Sequence, residues 1–424
     1  MKNLILTLII TLPLTLLGQG WEQNYGDLNT DEYGYSVQQT SDGGYIIAGV
    51  SDIDPFLLKT DGNGNELWGQ VFGGDNKTSA RSVQQTTDGG YIITGRTYGP
   101  SEIYLLKTDG NGNEQWSQTF GGIIGVNFGY STKQTNDGGY IITGQNQEDV
   151  ILIKTDGNGN ELWTKFFGGT DLDRGYSVQQ TNDGGYIITG FISDTTIFFP
   201  TADVYLIKTD VNGIELWSQT FGGISSDWGY SVQQTNDGGY IITGNTNSFG
   251  NGSSDVYLIK TDGNGNEQWS QTFGGTDGDE GYSVKQTTDG GYIITGWTAS
   301  FGSPYGQIYL IKTDGNGNEQ WSQTFGGTIW NSSVSSGNSV QQTTDGGYII
   351  TGMINNEFDI MDIILIKTDS NGNITATIEI PLPTSNKKLE KTLDILGKET
   401  KPQPNIPIIE IHDDGSVEKK LIVD

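Results

Sequence analysis

The chain has no cysteine and a single histidine, His412, close to its C-terminus. Disulfides and thiol chemistry are therefore unavailable. The body of the chain can hold no Ser-His-Asp triad, histidine-bound zinc or haem ligand. Proline is scarce at 10 residues, while glycine reaches 64 with no collagen-like triplet. Positive charge is scarce too, with 22 cationic against 51 acidic side chains and a formal charge of −29. A surface of that sign repels phosphate backbones and anionic lipid, which argues against nucleic acid and membrane surfaces as partners. Apolar residues make up only 33%, yet aromatics reach 11%. Disordered chains lack aromatics, so this composition points to many turns between short, adhesive strands.

Long apolar runs are limited to one. Leu4–Leu17 follows Lys2, is broken by Thr and Pro13, and precedes Gly18-Gln19. It is shorter than the ~20 residues a spanning helix needs, and residues 1–18 have the build of a secretory signal. No cysteine follows for lipoprotein acylation, and no other segment could span a membrane. The mature protein is expected to be exported, soluble or attached to the outer surface.

Between the ends lie seven copies of one unit. Asp-Gly-Gly-Tyr-Ile-Ile-(Thr/Ala)-Gly recurs with its tyrosine at 45, 91, 140, 186, 240, 292 and 348. Each unit holds four β-rich runs: A (YSVQQT), B (GYIITG), C (VYLIKT) and D (EQWSQTF). A joins B through Asn-Asp-Gly-Gly or its variants, and C joins D through Asp-Gly-Asn-Gly-Asn, both rich in residues that tolerate positive φ. B and C are almost continuously apolar, as suits strands covered on both faces. Four antiparallel strands every ~50 residues is the period of a propeller blade.

Run D carries Trp68, Trp116, Trp163, Trp217, Trp269 and Trp321, but the seventh copy has Ala376 where the tryptophan belongs. The missing run stands at the start of the body, where Trp21-Glu-Gln-Asn-Tyr-Gly26 matches Trp269-Ser-Gln-Thr-Phe-Gly274. The expected fold is therefore all-β: a seven-bladed β-propeller over 19–380, closed by its N-terminal strand. Closure also removes the edges that invite aggregation.

Composition changes at Pro381. Residues 381–424 hold seven lysines and eight acids, a balance of −1, so the remainder carries −29 + 1 = −28. After an extended linker at 381–386, Asp414-Gly415 sits between two alternating apolar runs, predicting a small β module over 387–424 with a hairpin. This tail resembles the C-terminal sorting domains of the type IX secretion system of gram-negative bacteria. The resemblance implies an export and attachment tag and the type IX machinery as a partner. The blade wording of 21–380 resembles quinoprotein-dehydrogenase-like repeats, and more closely the repeat propellers of bacterial exported proteins. It implies fold rather than activity, because one fold hosts many functions.

Candidate chemistry is sparse. The Asp-Gly-Asn-Gly turns (Asp61, Asp109, Asp156, Asp262, Asp314) invite a calcium reading, but they lack a bidentate glutamate, and Asp210-Val-Asn-Gly-Ile varies without loss of the repeat. They read as hairpin turns, and no metal or cofactor is expected. The turns are also similar to the structural Asp-boxes of sialidases, which bind carboxylate through three arginines. This chain has only Arg81, Arg96 and Arg174. The sevenfold lysine of run C (Lys59 to Lys367) is expected to pair with local carboxylates, and the glutamines of run A to line a polar channel. No acid stands out as one of a catalytic pair, so no catalytic residue is assigned.

Strand order puts the A–B and C–D turns on one face of the disc and the B–C and D–A connections on the other. The first set is constant; the second differs in every blade and is where recognition belongs. Trp228, Trp297, Trp330, Phe199 and Tyr305 are assigned to that variable face as ligand-binding candidates. The expected function is a secreted or cell-surface, monomeric, non-catalytic binder of glycan, polymer or protein. The alternative is a carboxylate-based polysaccharide hydrolase or lyase on the same face.

Overall fold

The computed structural model describes residues 20–26, 30–73, 77–99, 101–121, 126–194, 201–303, 305–326, 334–356, 358, 360–374, 389–394, 398, 400–401, 407–412 and 417–421. The signal-like segment 1–18 and the linker 381–386 lie outside them. The chain divides into two units, Met1–Ala376 and Thr377–Asp424. No helix occurs among the described residues, so none is long and apolar enough to cross a membrane.

The first unit is a seven-bladed β-propeller. Blade 1 is β2(Glu32–Gln39), β3(Tyr45–Ser51), β4(Asp54–Thr60) and β5(Glu66–Val71), paired in that order. The same antiparallel order recurs in β6–β9 (Lys77–Phe120), β10–β13 (Asn127–Phe167), β14–β17 (Arg174–Phe221), β18–β21 (Asp227–Phe273) and β22–β25 (Asp279–Phe325). Blade 7 takes β26(Ser335–Gln342), β27(Tyr348–Asn355) and β28(Met361–Thr368) from the end of the unit and its outer strand, β1(Trp21–Tyr25), from the start. In register, Trp21 faces Lys367 and Tyr25 faces Ile363. The closure read from the displaced tryptophan is the one observed.

Each interface between neighbouring blades is a separate apolar core, which is why runs B and C alternate so little. Ile46, Ala48 and Leu57 of blade 1 pack with Val83, Tyr91, Ile93 and Tyr104 of blade 2. The closing interface is built alike, from Val37, Tyr45, Ile47 and Phe56 against Ile349, Ile363 and Leu365, with Trp21 and Tyr25 beside them. Every outer-strand tryptophan leans onto the next blade. Trp21 meets Tyr45 edge-on at 5.9 Å, and Trp269 meets Tyr292 at 6.0 Å. The same indoles cover the C–D turn glycine of that next blade, Gly64 for Trp21 and Gly317 for Trp269, both at positive φ near 80°. A side chain there would be strained and would strike the indole.

The constant turns are scaffold. Asp61 Oδ1 accepts from the backbone N–H of Asn63 and Asn65 at 2.8 and 2.9 Å, and Oδ2 from Asn65 Nδ2 at 2.8 Å. Both carboxylate oxygens thus serve the turn itself, and the other C–D aspartates repeat the pattern, except that at Asp210 the side chain of Asn212 replaces that of the fifth turn residue, Ile214. Run C lysines are buried and reach the A–B turn aspartate of their own blade, as Lys59–Asp42 at 3.0 Å and Lys260–Asp237 at 2.9 Å, in all seven blades.

The second unit is a three-stranded antiparallel sheet, β29(Leu389–Asp394), β30(Pro407–His412) and β31(Val417–Leu421), in sequence order. β30 and β31 form the expected hairpin; its Asp414-Gly415 turn lies outside the described residues.

Two outcomes follow. Deleting 20–26 exposes the β28 edge and strips the closing core, whereas deleting 387–424 removes residues of the second unit alone. The first truncation should be insoluble or melt far lower, and Trp21→Ala alone should cost about 2–4 kcal/mol for a half-buried indole. Equal melting of the two truncations would refute closure by β1. The second outcome concerns acid. Partial burial pulls the Asp42, Asp88, Asp237 and Asp289 carboxyls upward, but hydrogen bonds from Thr and Lys and the backbone outweigh it and hold them at about 2. A depressed folded-state pKa stabilises above the unfolded value and loses that contribution as pH falls toward the folded one. Melting temperature should therefore be flat above about pH 4.5 and fall steadily toward about pH 2. A melt indifferent to pH across that window would count against the seven-pair scaffold.

Candidate functional site: the central channel and its two mouths

Strand A of each blade lines the axis, and its inner edge has no further strand to pair with. Its exposed N–H groups must find other acceptors. They find them on the preceding blade. Ser36 Oγ accepts from Val83 N at 3.2 Å, and the bond repeats around the ring until Ser339 Oγ accepts from Val37 N at 3.3 Å, seven of seven. The second glutamine of each run A closes another full ring by accepting from an A–B turn amide of the preceding blade. Ser41 N donates to Gln85 at 2.9 Å and Thr344 N to Gln39 at 3.0 Å.

At the variable-face end, every strand A carries a bulge against strand B, with register shifts such as Gly34/Ser36 and Gly229/Ser231. A bulge re-aims one side chain. The bulged residues are Tyr35, Arg81, Tyr130, Tyr176, Tyr230, Tyr282 and Asn338, with a second bulge at Ser79 in blade 2. Four of these tyrosines from consecutive blades touch ring to ring, at 4.9 Å for 130–176, 5.2 Å for 176–230 and 5.5 Å for 230–282. Phe128 stacks on Tyr130 at 5.6 Å. All three arginines of the chain gather at this end. Arg81 lies over Tyr35 at 3.9 Å, Arg96 over Phe128 at 4.2 Å and Arg174 over Phe191 at 5.6 Å. Arg174 Nη1 donates to the Tyr176 hydroxyl at 3.3 Å, while the buried Nε of Arg81 and of Arg174 have no acceptor. Glu280 accepts from the Tyr282 hydroxyl at 2.9 Å, and burial raises its pKa.

The predicted residues divide on this face. Trp228 and Trp297 stand at strand ends rather than in loops: Trp228 in β18 opposite Asn245, Trp297 in β23 opposite Glu280. The reason is that the ladders run past the repeat into the connections. Trp228 is half-buried. Trp297 packs on Gly278 and Gly306 so closely that no β-carbon would fit at Gly306, which makes it part of the loop packing. Tyr305 is exposed. Trp330 and Phe199 lie outside the described residues. Phe249 and Phe301 cover Tyr257 and Tyr309 at 5.7 and 5.5 Å and so seal blade tops. The tyrosine arc was present in the sequence as the first letter of run A, but only the bulge turns it to the axis.

The opposite mouth opens among the A–B turns. A cavity of about 510 Å³ runs from the serine ring through the first-glutamine ring to Asn136, Thr181 and Asn182, and no carboxylate lines it. Two of the seven first-glutamine positions are lysines, Lys133 and Lys285. Sequence reasoning passed over them, although each is a visible break in the repeat. Among the described residues no group of three or more His, Cys, Asp and Glu side chains is placed to hold a metal.

No family model matches the chain. No curated protein matches it either. Among solved structures it is similar to a catalytically inactive virginiamycin B lyase from Staphylococcus aureus with quinupristin, at 11% identity over 82% of this chain and 100% of that one, TM-score 0.52. It is also similar to the Pan2 WD40 domain of Neurospora crassa (12% identity, 81% and 89% covered, TM-score 0.49). A protein of unknown function from Bacteroides caccae aligns at 13% identity, 70% and 94% covered, TM-score 0.44. At such identities the likeness to the lyase shows a common fold and carries no activity across.

Proposed function

We propose that the chain is a secreted or cell-surface propeller that binds glycan, polymer or protein through its variable face without catalysis. The observation that carries this reading is the asymmetric arc at the variable-face mouth. Aromatic faces from Phe128 to Tyr282 and all three arginines collect at one end of an otherwise acidic body, with two buried guanidinium donors unused. Ring faces suit the apolar faces of sugars or side chains, and guanidinium groups suit a ligand rich in oxygen acceptors. Trp228 and Tyr305 stand on the same face and extend the surface. The variable connections around it are where a rigid ring tolerates change. Export is supported by the signal-like residues 1–18 and by the charge-balanced tail after a proline linker, which resembles a type IX sorting domain.

A glycan-array screen of the full chain, with hydrolysis assays on any polysaccharide retained, tests the binding reading. Retention without product release is expected. Trp228→Ala combined with Arg174→Ala should lower retention at least tenfold while the protein still melts near the parent temperature. Asn264→Ala in a constant turn should change nothing. Product release would favour the carboxylate hydrolase or lyase instead. For export, removing 387–424 in a type IX-competent host should leave folded propeller in the periplasm; normal surface display of the truncated chain would defeat the sorting role.

A further inference from the structure

The first-glutamine ring closes the channel's inner edge in five places. Gln38, Gln84, Gln179, Gln233 and Gln341 each accept the backbone N–H of the next blade, from Gln85, Gln134, Gln234, Gln286 and Gln39, at 2.6–2.8 Å. Lys133 in blade 3 and Lys285 in blade 6 occupy the other two places. A lysine cannot accept a hydrogen bond. The amides of Gln180 and Gln342, which follow the two lysines round the ring, therefore lose the partner that the other five have. Each exchange removes an acceptor and adds a donor at the same spot.

These two ammonium groups differ from the seven lysines of run C. They make no hydrogen bond or ion pair with any described residue, whereas every run C lysine has its aspartate. Three blades separate them one way round the ring and four the other, so they face each other across the channel. Burial lowers the pKa of both, and the charge of Lys133 helps bring Lys285 down to about 8. Both side chains are only part-buried, so their ammonium groups reach the channel, where an unpaired like-charge pair is unfavourable and the repeat's own glutamine would avoid that penalty. A negative charge between them would offset that penalty.

We propose that the channel, entered from the A–B turn mouth, binds a small dianion held between Lys133 and Lys285. The two ammonium groups supply opposed positive charge, and the N–H groups of Gln180 and Gln342 supply two more donors. The cavity of about 510 Å³ admits a small molecule, and its hydroxyl and amide lining, free of carboxylates, sets no negative charge against it. A phosphoryl or sulfate group and a short dicarboxylate share the required chemistry: two negative charges and oxygens on opposite sides. The site is separate from the aromatic arc and stands or falls independently of it.

Thermal melts and calorimetric titrations of the full chain with inorganic phosphate, sulfate, succinate and acetate, at equal ionic strength in chloride, test the proposal. At least one dianion should raise the melting temperature and bind at a single site, with acetate and chloride inactive. Which dianion acts separates phosphoryl or sulfate ligands from dicarboxylates. Lys133→Gln and Lys285→Gln should each weaken that binding at least tenfold, and the double variant should abolish it. Because both substitutions restore the repeat's residue and its ring hydrogen bonds, the double variant should melt in chloride no lower than the parent. Dianions that shift the parent no more than acetate does would overturn the proposal. So would a double variant that responds as strongly as the parent. The single variants keep the test decisive if the double variant proves insoluble.

Discussion

A four-stranded blade cannot cover its own two faces, and everything else in this propeller depends on that. Runs B and C bury Ile, Leu and Tyr on both sides only because another blade stands on each side. Seven such interfaces must therefore close into a ring or leave one core open to water. β1 meets that demand by supplying the outer strand of the last blade, with Trp21 then lying on Tyr45 and Gly64 as its six counterparts lie on theirs. The ring couples the two ends of the propeller unit, so its closing interface carries the same load as the other six.

Closure of the faces leaves the inner edges of the strands. There the hydrogen-bonding demand falls on side chains, and the serine and glutamine rings meet it with bonds that always cross from one blade to the next. A polar residue at the axis is thus first a structural requirement. That makes departures informative. A glutamine in the ring is explained by the N–H it accepts; a lysine in the same place explains nothing about the fold and leaves an N–H without its acceptor. By the same measure, the run C lysines are explained by their aspartates and need no ligand.

The two mouths differ in kind. At the variable face, bulges in strand A re-aim the run A tyrosines and Arg81, and Arg96 and Arg174 lie over aromatic rings at the same end, while neighbouring loop aromatics such as Phe249 and Phe301 cover strand C tyrosines. At the constant face, the turns are occupied with their own hydrogen bonds, and the channel between them holds Lys133 and Lys285. A face with invariant turns can hence still carry a site, provided the variation sits inside the ring rather than on its rim.

Blade number, strand order, the displaced outer strand, the lysine–aspartate pairing and the C-terminal hairpin were all legible in the sequence. The propeller features rest on local chemistry repeated in register, namely glycine turns, apolar B and C runs and one tryptophan per unit, and the hairpin rests on Asp414-Gly415 between two alternating runs. The sequence also placed Trp228, Trp297 and Tyr305 on the face of the B–C and D–A connections, since antiparallel order alone decides sidedness. Only the tertiary structure separated Trp297, wedged on Gly306, from residues with a free surface, because that depends on loop contacts with no periodicity. Only it turned the run A tyrosines into an arc, because the bulge behind each is a property of pairing, not of composition. And only ring closure brought Lys133 and Lys285, 152 residues apart in sequence, to opposite sides of one channel.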